Sequence, residues 1–184
     1  MVHLAWLVVL AATGLPAAAQ TPESSRTFKA WRLECFPPKA KATAGTDAFE
    51  TRPPAGSNCQ MQQEIRLQGD RARVAAIARV RLFGPERTPF LLLLLPPNAE
   101  TDLGVIYAVD EAAPLKIRVR ECTPQNCVAA LQLDADRLDA LRQGNRLAVG
   151  FKVGGTSIAA QIALDGFAAA YAGLEATGPA PAAN

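Results

Sequence analysis

Residues 59–82 read CQMQQEIRLQGDRARVAAIARVRL. Cys59, Met61, Gln63, Ile65 and Leu67 fall in phase, and Gln68-Gly69-Asp70 follows as a turn. Val74, Ala76, Ala78, Val80 and Leu82 then share one side of a second run, with Ala75, Ile77, Arg79 and Arg81 on the other. Period-two alternation on both sides of a glycine turn is the pattern of an antiparallel hairpin. The same reading extends outward. Thr27 to Cys35 alternates and predicts a first strand, while Phe90 to Leu95, closed by Pro96-Pro97, is a six-residue apolar run suited to a strand buried on both faces. Gly104–Val109, Leu115–Cys122 and Val128–Leu133 are further strands, and Gly154-Gly155 joins Arg146–Val153 to Thr156–Leu164 as a hairpin.

Two segments break this pattern. In DADRLDALRQG, Asp134 suits a helix N-cap, Leu138 and Leu141 share a face, and Gly144 suits the C-terminal cap. After Asp165-Gly166, the residues Phe167, Ala170, Tyr171 and Leu174 repeat at helical spacing. Several connections are too short for crossover helices, which favours antiparallel pairing. The fold class is therefore mainly β: a sandwich or barrel of about nine strands with two short helices.

The ends and the cysteines set the compartment. Leu4–Leu10 is a short apolar run followed by Ala17-Ala18-Ala19-Gln20, the pattern of a cleaved signal peptide spanning residues 1–19. Gly14 and Pro16 interrupt it, so it is too short to span a membrane. A single domain over residues 20–174 and a small-residue tail over 175–184 complete the organisation, with a long Pro-rich loop at residues 36–57. Export makes disulfides the expected state of Cys35, Cys59, Cys122 and Cys127. Four cysteines allow three connectivities. Proximity favours Cys122 with Cys127, leaving Cys35 with Cys59. The competing reading makes Cys122 and Cys127 a thiol-dependent redox pair. The usual pair has two intervening residues on a helix, and here four intervene between strands.

The lone histidine, His3, lies in the signal. A mature chain without histidine builds no Ser-His-Asp or Cys-His site and no His-ligated metal centre. Asp134, Asp136 and Asp139 complement a helix dipole, and Asp102 and Asp110 read as turn residues. Phosphate-loop and dinucleotide patterns are missing. No catalytic residue, metal or cofactor is expected. The net charge is only +2, but Arg79 and Arg81, with Lys116, Arg118 and Arg120, form cationic rows that could meet on one sheet face. They are the candidate contacts for an anionic partner such as a lipid or lipopolysaccharide surface. The competing role is a solvated face that discourages aggregation. Nucleic acid is not expected in an exported chain with 6% aromatic residues.

The order of these pieces resembles the invasion-associated locus B family of exported Gram-negative proteins. Phe28-Lys29-Ala30-Trp31-Arg32-Leu33-Glu34-Cys35 resembles the family's opening, and Cys59-Gln60-Met61-Gln62-Gln63 its second cysteine with following glutamines. Val109-Asp110, the Cys122 to Cys127 pair with Val128-Ala129, and Asp165-Gly166-Phe167 through Leu174 resemble its later strand, paired cysteines and closing segment. The resemblance implies a periplasmic or surface-associated protein that is not an enzyme. It would act through surface contacts with an envelope or host component. It offers no catalytic residues.

Overall fold

A computed structural model describes residues 21–37, 58–67 and 70–178. The expected signal at residues 1–19, most of the loop at 36–57, the turn residues Gln68 and Gly69, and the tail beyond Gly178 lie outside the described residues.

In chain order the strands are β1 (Ser24–Phe28), β2 (Trp31–Cys35), β3 (Cys59–Leu67), β4 (Asp70–Phe83), β5 (Thr88–Leu95), β6 (Val105–Val109), β7 (Leu115–Ile117), β8 (Val119–Cys122), β9 (Cys127–Gln132), β10 (Arg146–Val153) and β11 (Thr156–Ala163). Helix α1 spans Ala135–Gln143 and α2 spans Phe167–Ala176. The strands form a seven-stranded sheet in the order β1-β2-β3-β4-β5-β9-β8 and a four-stranded sheet in the order β11-β10-β6-β7. All pairings are antiparallel. The two sheets enclose one apolar core, so the architecture is sandwich-like and not a closed barrel.

The leucine run shows why the sheets stack this way. Leu91, Leu93 and Leu95 point into the shared core with Val80, Met61 and Tyr107. Leu92 and Leu94 alternate to the opposite face, where they are buried with Val128 and Ala130. A strand loaded on both sides must lie inside its sheet, and β5 sits between β4 and β9. In β4 the run Ala76, Ala78, Val80 and Leu82 faces the core. The register slips near Ile65 and Arg66, which brings Ala75 into the core as well and leaves Val74 exposed.

Among the described residues eleven strands stand where nine were expected, because two expected strands are each divided. Thr27–Cys35 is not one strand. Phe28 pairs with Trp31, so Lys29-Ala30 is a two-residue turn, with Lys29 in the left-handed region at φ 52°. Its side chain is held there by Asp165, at 2.7 Å. The second division falls at Arg118: β7 pairs with β6 in the small sheet, and β8 pairs with β9 in the large one. One nearly extended segment thus passes between the layers.

Both helices occur. The Asp134 carboxylate accepts from the Arg137 N–H at 2.9 Å, capping α1 as its composition demands. Gly144 closes α1 through its N–H to the Ala140 carbonyl. Helix α2 continues through Glu175 and Ala176, two residues that sequence reading assigned to the tail. It packs Phe167, Ala170, Tyr171 and Leu174 into the core against β2.

Candidate functional site

The cysteines form two disulfides, Cys35–Cys59 and Cys122–Cys127. Each joins residues directly opposite one another on neighbouring antiparallel strands, with Cα atoms 4.0 Å apart. The first pins the mouth of the loop between β2 and β3, assisted by the Phe36 N–H donating to the Asn58 carbonyl at 2.9 Å. The second straddles the turn after β8, where the Thr123 N–H donates to the Asn126 carbonyl at 2.8 Å.

This placement weighs against thiol exchange. Cys122 is exposed, so an outside thiolate could reach its sulfur. The group expelled would be the Cys127 thiolate, which is fully buried opposite Leu95. Apolar burial raises a thiol's pKa and makes the thiolate a poor leaving group. Neither cysteine of this pair lies on a helix. We expect thiol alkylation after mild reductant to leave Cys122 and Cys127 unmodified in the folded protein. Ready modification of that pair alone would restore the redox reading.

The five candidate cations separate into two groups. Lys116, Arg118 and Arg120 alternate in sequence with Ile117 and Val119, which pack on the core, along the segment that crosses between sheets, and Arg120 falls at the pairing irregularity between Val119 and Glu121. All three are exposed, and none makes an ion pair among the described residues. By contrast, Lys29, Arg32, Arg66, Arg137, Arg142 and Arg146 each meet a carboxylate. Lys116 and Arg118, with Thr101, Asp102, Gly104 and Val119, line a depression of about 560 Å³. Its floor is tight. Gly104 has φ +67°, and a Cβ there would stand 2.6 Å from the Ile117 carbonyl oxygen.

Arg79 and Arg81 lie elsewhere. They project from β4, which β5 and β9 separate from β8, so they do not meet the other three in one row. Both guanidinium groups are held by glutamines of β3. Arg79 Nε and Nη2 donate to Gln62 Oε1 at 3.2 and 3.1 Å, and Arg81 Nε and Nη2 donate to Gln60 Oε1 at 2.9 and 2.5 Å. Burial, reinforced by the neighbouring Arg79 charge, lowers the Arg81 pKa to about 10. The folded chain therefore holds this proton less tightly than the unfolded chain does. The charged group destabilises the native state at neutral pH, and the penalty fades as pH rises through about 10. Sequence reading grouped Arg81 with exposed cations. The signal it missed is the matched spacing of Gln60 and Gln62 against Arg79 and Arg81 across one hairpin.

Three of the candidate acidic residues have contacts that serve the fold. Asp134 caps α1, Asp139 pairs with Arg142, and Asp110 accepts from the Asn145 and Arg146 backbone N–H groups. Those backbone bonds hold the Asp110 carboxyl below its usual range. Among the described residues no three His, Cys, Asp or Glu side chains are grouped to hold a metal ion. No described helix is long and apolar enough to cross a membrane. A separate cleft of about 240 Å³ between Val74, Ala75, Pro96, Phe151, Val153, Thr156 and Ile158 is largely apolar and brings no charged group together.

Trp31, Phe167 and Gly166, three of the residues that carried the family resemblance, hold the fold together. Trp31 is fully buried, its Nε1 donates to the Ala163 carbonyl at 3.0 Å, and its ring meets Phe167 edge-on at 5.1 Å. Gly166 lets α2 start against the backbone of Phe28. Comparison with known proteins agrees with this core. No curated protein matches the sequence. The crystal structure of invasion associated protein B from Bartonella henselae superposes with a TM-score of 0.63 at 21% sequence identity, covering 84% of this chain and 97% of that one. That likeness is one of fold. The family model for Invasion associated locus B (IalB) protein matches residues 31–175, from the buried Trp31 through α2. The chain belongs to the invasion-associated locus B family.

Proposed function

We propose that this protein is an exported, non-enzymatic binding protein of the periplasm or cell surface, acting through contact with an anionic envelope or host component. Two disulfides support folding in an oxidising compartment. The observation that carries the anionic contact is the row Lys116, Arg118 and Arg120, exposed and without ion pairs among the described residues, two of its members lining one depression.

Three exposed cations at alternate positions of one segment, without ion pairs among the described residues, repel one another, and an anionic surface relieves that repulsion. Each Lys or Arg near such a surface contributes about 1 kcal/mol, so three give roughly a 100-fold gain in partitioning. In cells, a photo-reactive residue in place of Arg118 should cross-link to an envelope component. The adduct should vanish when Lys116 and Arg120 are also replaced by Glu. A chain that yields no adduct from position 118, or one unchanged by the charge reversals, contradicts the proposal.

A further inference from the structure

Arg81 poses a separate problem. It is 9% exposed, and no carboxylate among the described residues pairs with it. Glu34, the buried acid opposite Gln60, is engaged instead by Gln62 at 2.9 Å and Arg32 at 3.4 Å. Gln60 occupies one edge of the Arg81 fork, taking Nε and Nη2 with a single neutral oxygen. Arg81 Nη1 is buried and has no hydrogen-bond partner among the described residues. Phe90 lies across from Arg81 on β5, and Phe83 follows on β4, the two rings meeting edge to face at 5.2 Å.

A buried guanidinium without a counter-charge is usually less stable than an apolar side chain of similar size. A buried donor left unsatisfied calls for a partner. The edge that Gln60 does not engage, formed by Nη1 and Nη2, is one that a carboxylate or phosphate engages with two parallel hydrogen bonds once the atoms enclosing Nη1 give way. Fixing the Nε edge on Gln60 sets the plane of the fork in advance. The aromatic pair beside it suits a ligand whose body beyond the charge is apolar.

We propose that Arg81 anchors a binding site for a single oxyanion group, a carboxylate or phosphate carried on an apolar body, with Gln60 as its positioning residue. This site is distinct from the Lys116–Arg118–Arg120 row and does not depend on it. The 2.5 Å contact to Gln60 fixes the orientation, and Arg79 adds positive potential beside it.

The test is thermal unfolding of the full chain in sodium octanoate and in sodium phosphate, each against sodium chloride at equal ionic strength. One oxyanion should raise Tm with the logarithm of its concentration, by roughly 5 °C or more near saturation. A response to octanoate alone assigns a carboxylate, and a response to phosphate alone assigns a phosphate. Arg81→Met should melt in chloride at or above the wild-type temperature and show no oxyanion response. Gln60→Ala, which keeps the charge, should weaken the response several-fold. The proposal fails if the wild type responds to neither anion beyond chloride, or if Arg81→Met keeps the response. It also fails if Arg81→Met melts well below wild type in chloride, since the guanidinium would then be a structural hydrogen-bonding group.

Discussion

Gly166→Ala should cost the fold roughly 4 kcal/mol or more, read as a collapse of the denaturant midpoint. Two effects add at this position. The backbone φ of +88° is one that a side chain tolerates poorly. More important, a Cβ would stand 2.1 Å from the Phe28 carbonyl oxygen and 2.8 Å from its carbon. Both are backbone atoms of the β1–β2 hairpin and cannot rotate aside. Relief requires α2 to move away from that hairpin, yet Phe167, Ala170, Tyr171 and Leu174 are buried along it and Trp31 rests edge-on against Phe167. The contrast is Gly154→Ala. That residue also has positive φ, but nothing lies within 4 Å of its added Cβ, so its cost should stay near 1 kcal/mol.

Removing the Cys35–Cys59 bridge with paired serines should lower stability by about 3.5 kcal/mol, against about 2 kcal/mol for Cys122–Cys127. The ranking follows from loop length. The first bridge joins residues separated by 24 positions and the second by 5, and the longer closure removes more freedom from the unfolded chain. The first also fixes the register of β2 on β3, where Leu33 and Met61 enter the core. Equilibrium unfolding of the two double variants measures both losses. Equal losses, or a larger one at Cys122–Cys127, would mean that local strand pairing outweighs chain entropy.

The sheet architecture was readable because its strands announce themselves by alternation. The β3–β4 hairpin, the two-faced leucine strand and the β10–β11 hairpin all follow from period two and glycine turns. The β1–β2 turn was not readable. Lys29-Ala30 carries none of the Asn, Asp or Gly chemistry that marks a two-residue hairpin, and the alternation runs unbroken across it. The contacts at that turn are tertiary: Asp165, more than a hundred residues away, pairs with Lys29 at the surface, and Gly166 packs beneath Phe28. The division at Arg118 is hidden for a similar reason, since inward Ile117 and Val119 keep the same alternation in either sheet.

The candidate site was legible only in part. Sequence shows which residues are cationic and in phase along one strand, so Lys116, Arg118 and Arg120 emerge together. It does not show which strands are neighbours. Placing β5 and β9 between β4 and β8 removes Arg79 and Arg81 from that row. It also does not show that Arg81 is buried beneath its own hydrogen bonds to Gln60.

The most direct test of the account is sedimentation of the purified protein with anionic phosphatidylglycerol vesicles across a range of salt, with neutral phosphatidylcholine vesicles as control. The proposed contact predicts binding to the anionic vesicles alone, weakening as salt rises, and falling roughly 100-fold when Lys116, Arg118 and Arg120 are all replaced by Ala. Equal binding to both vesicle types, or a triple variant that binds like the wild type, would contradict it.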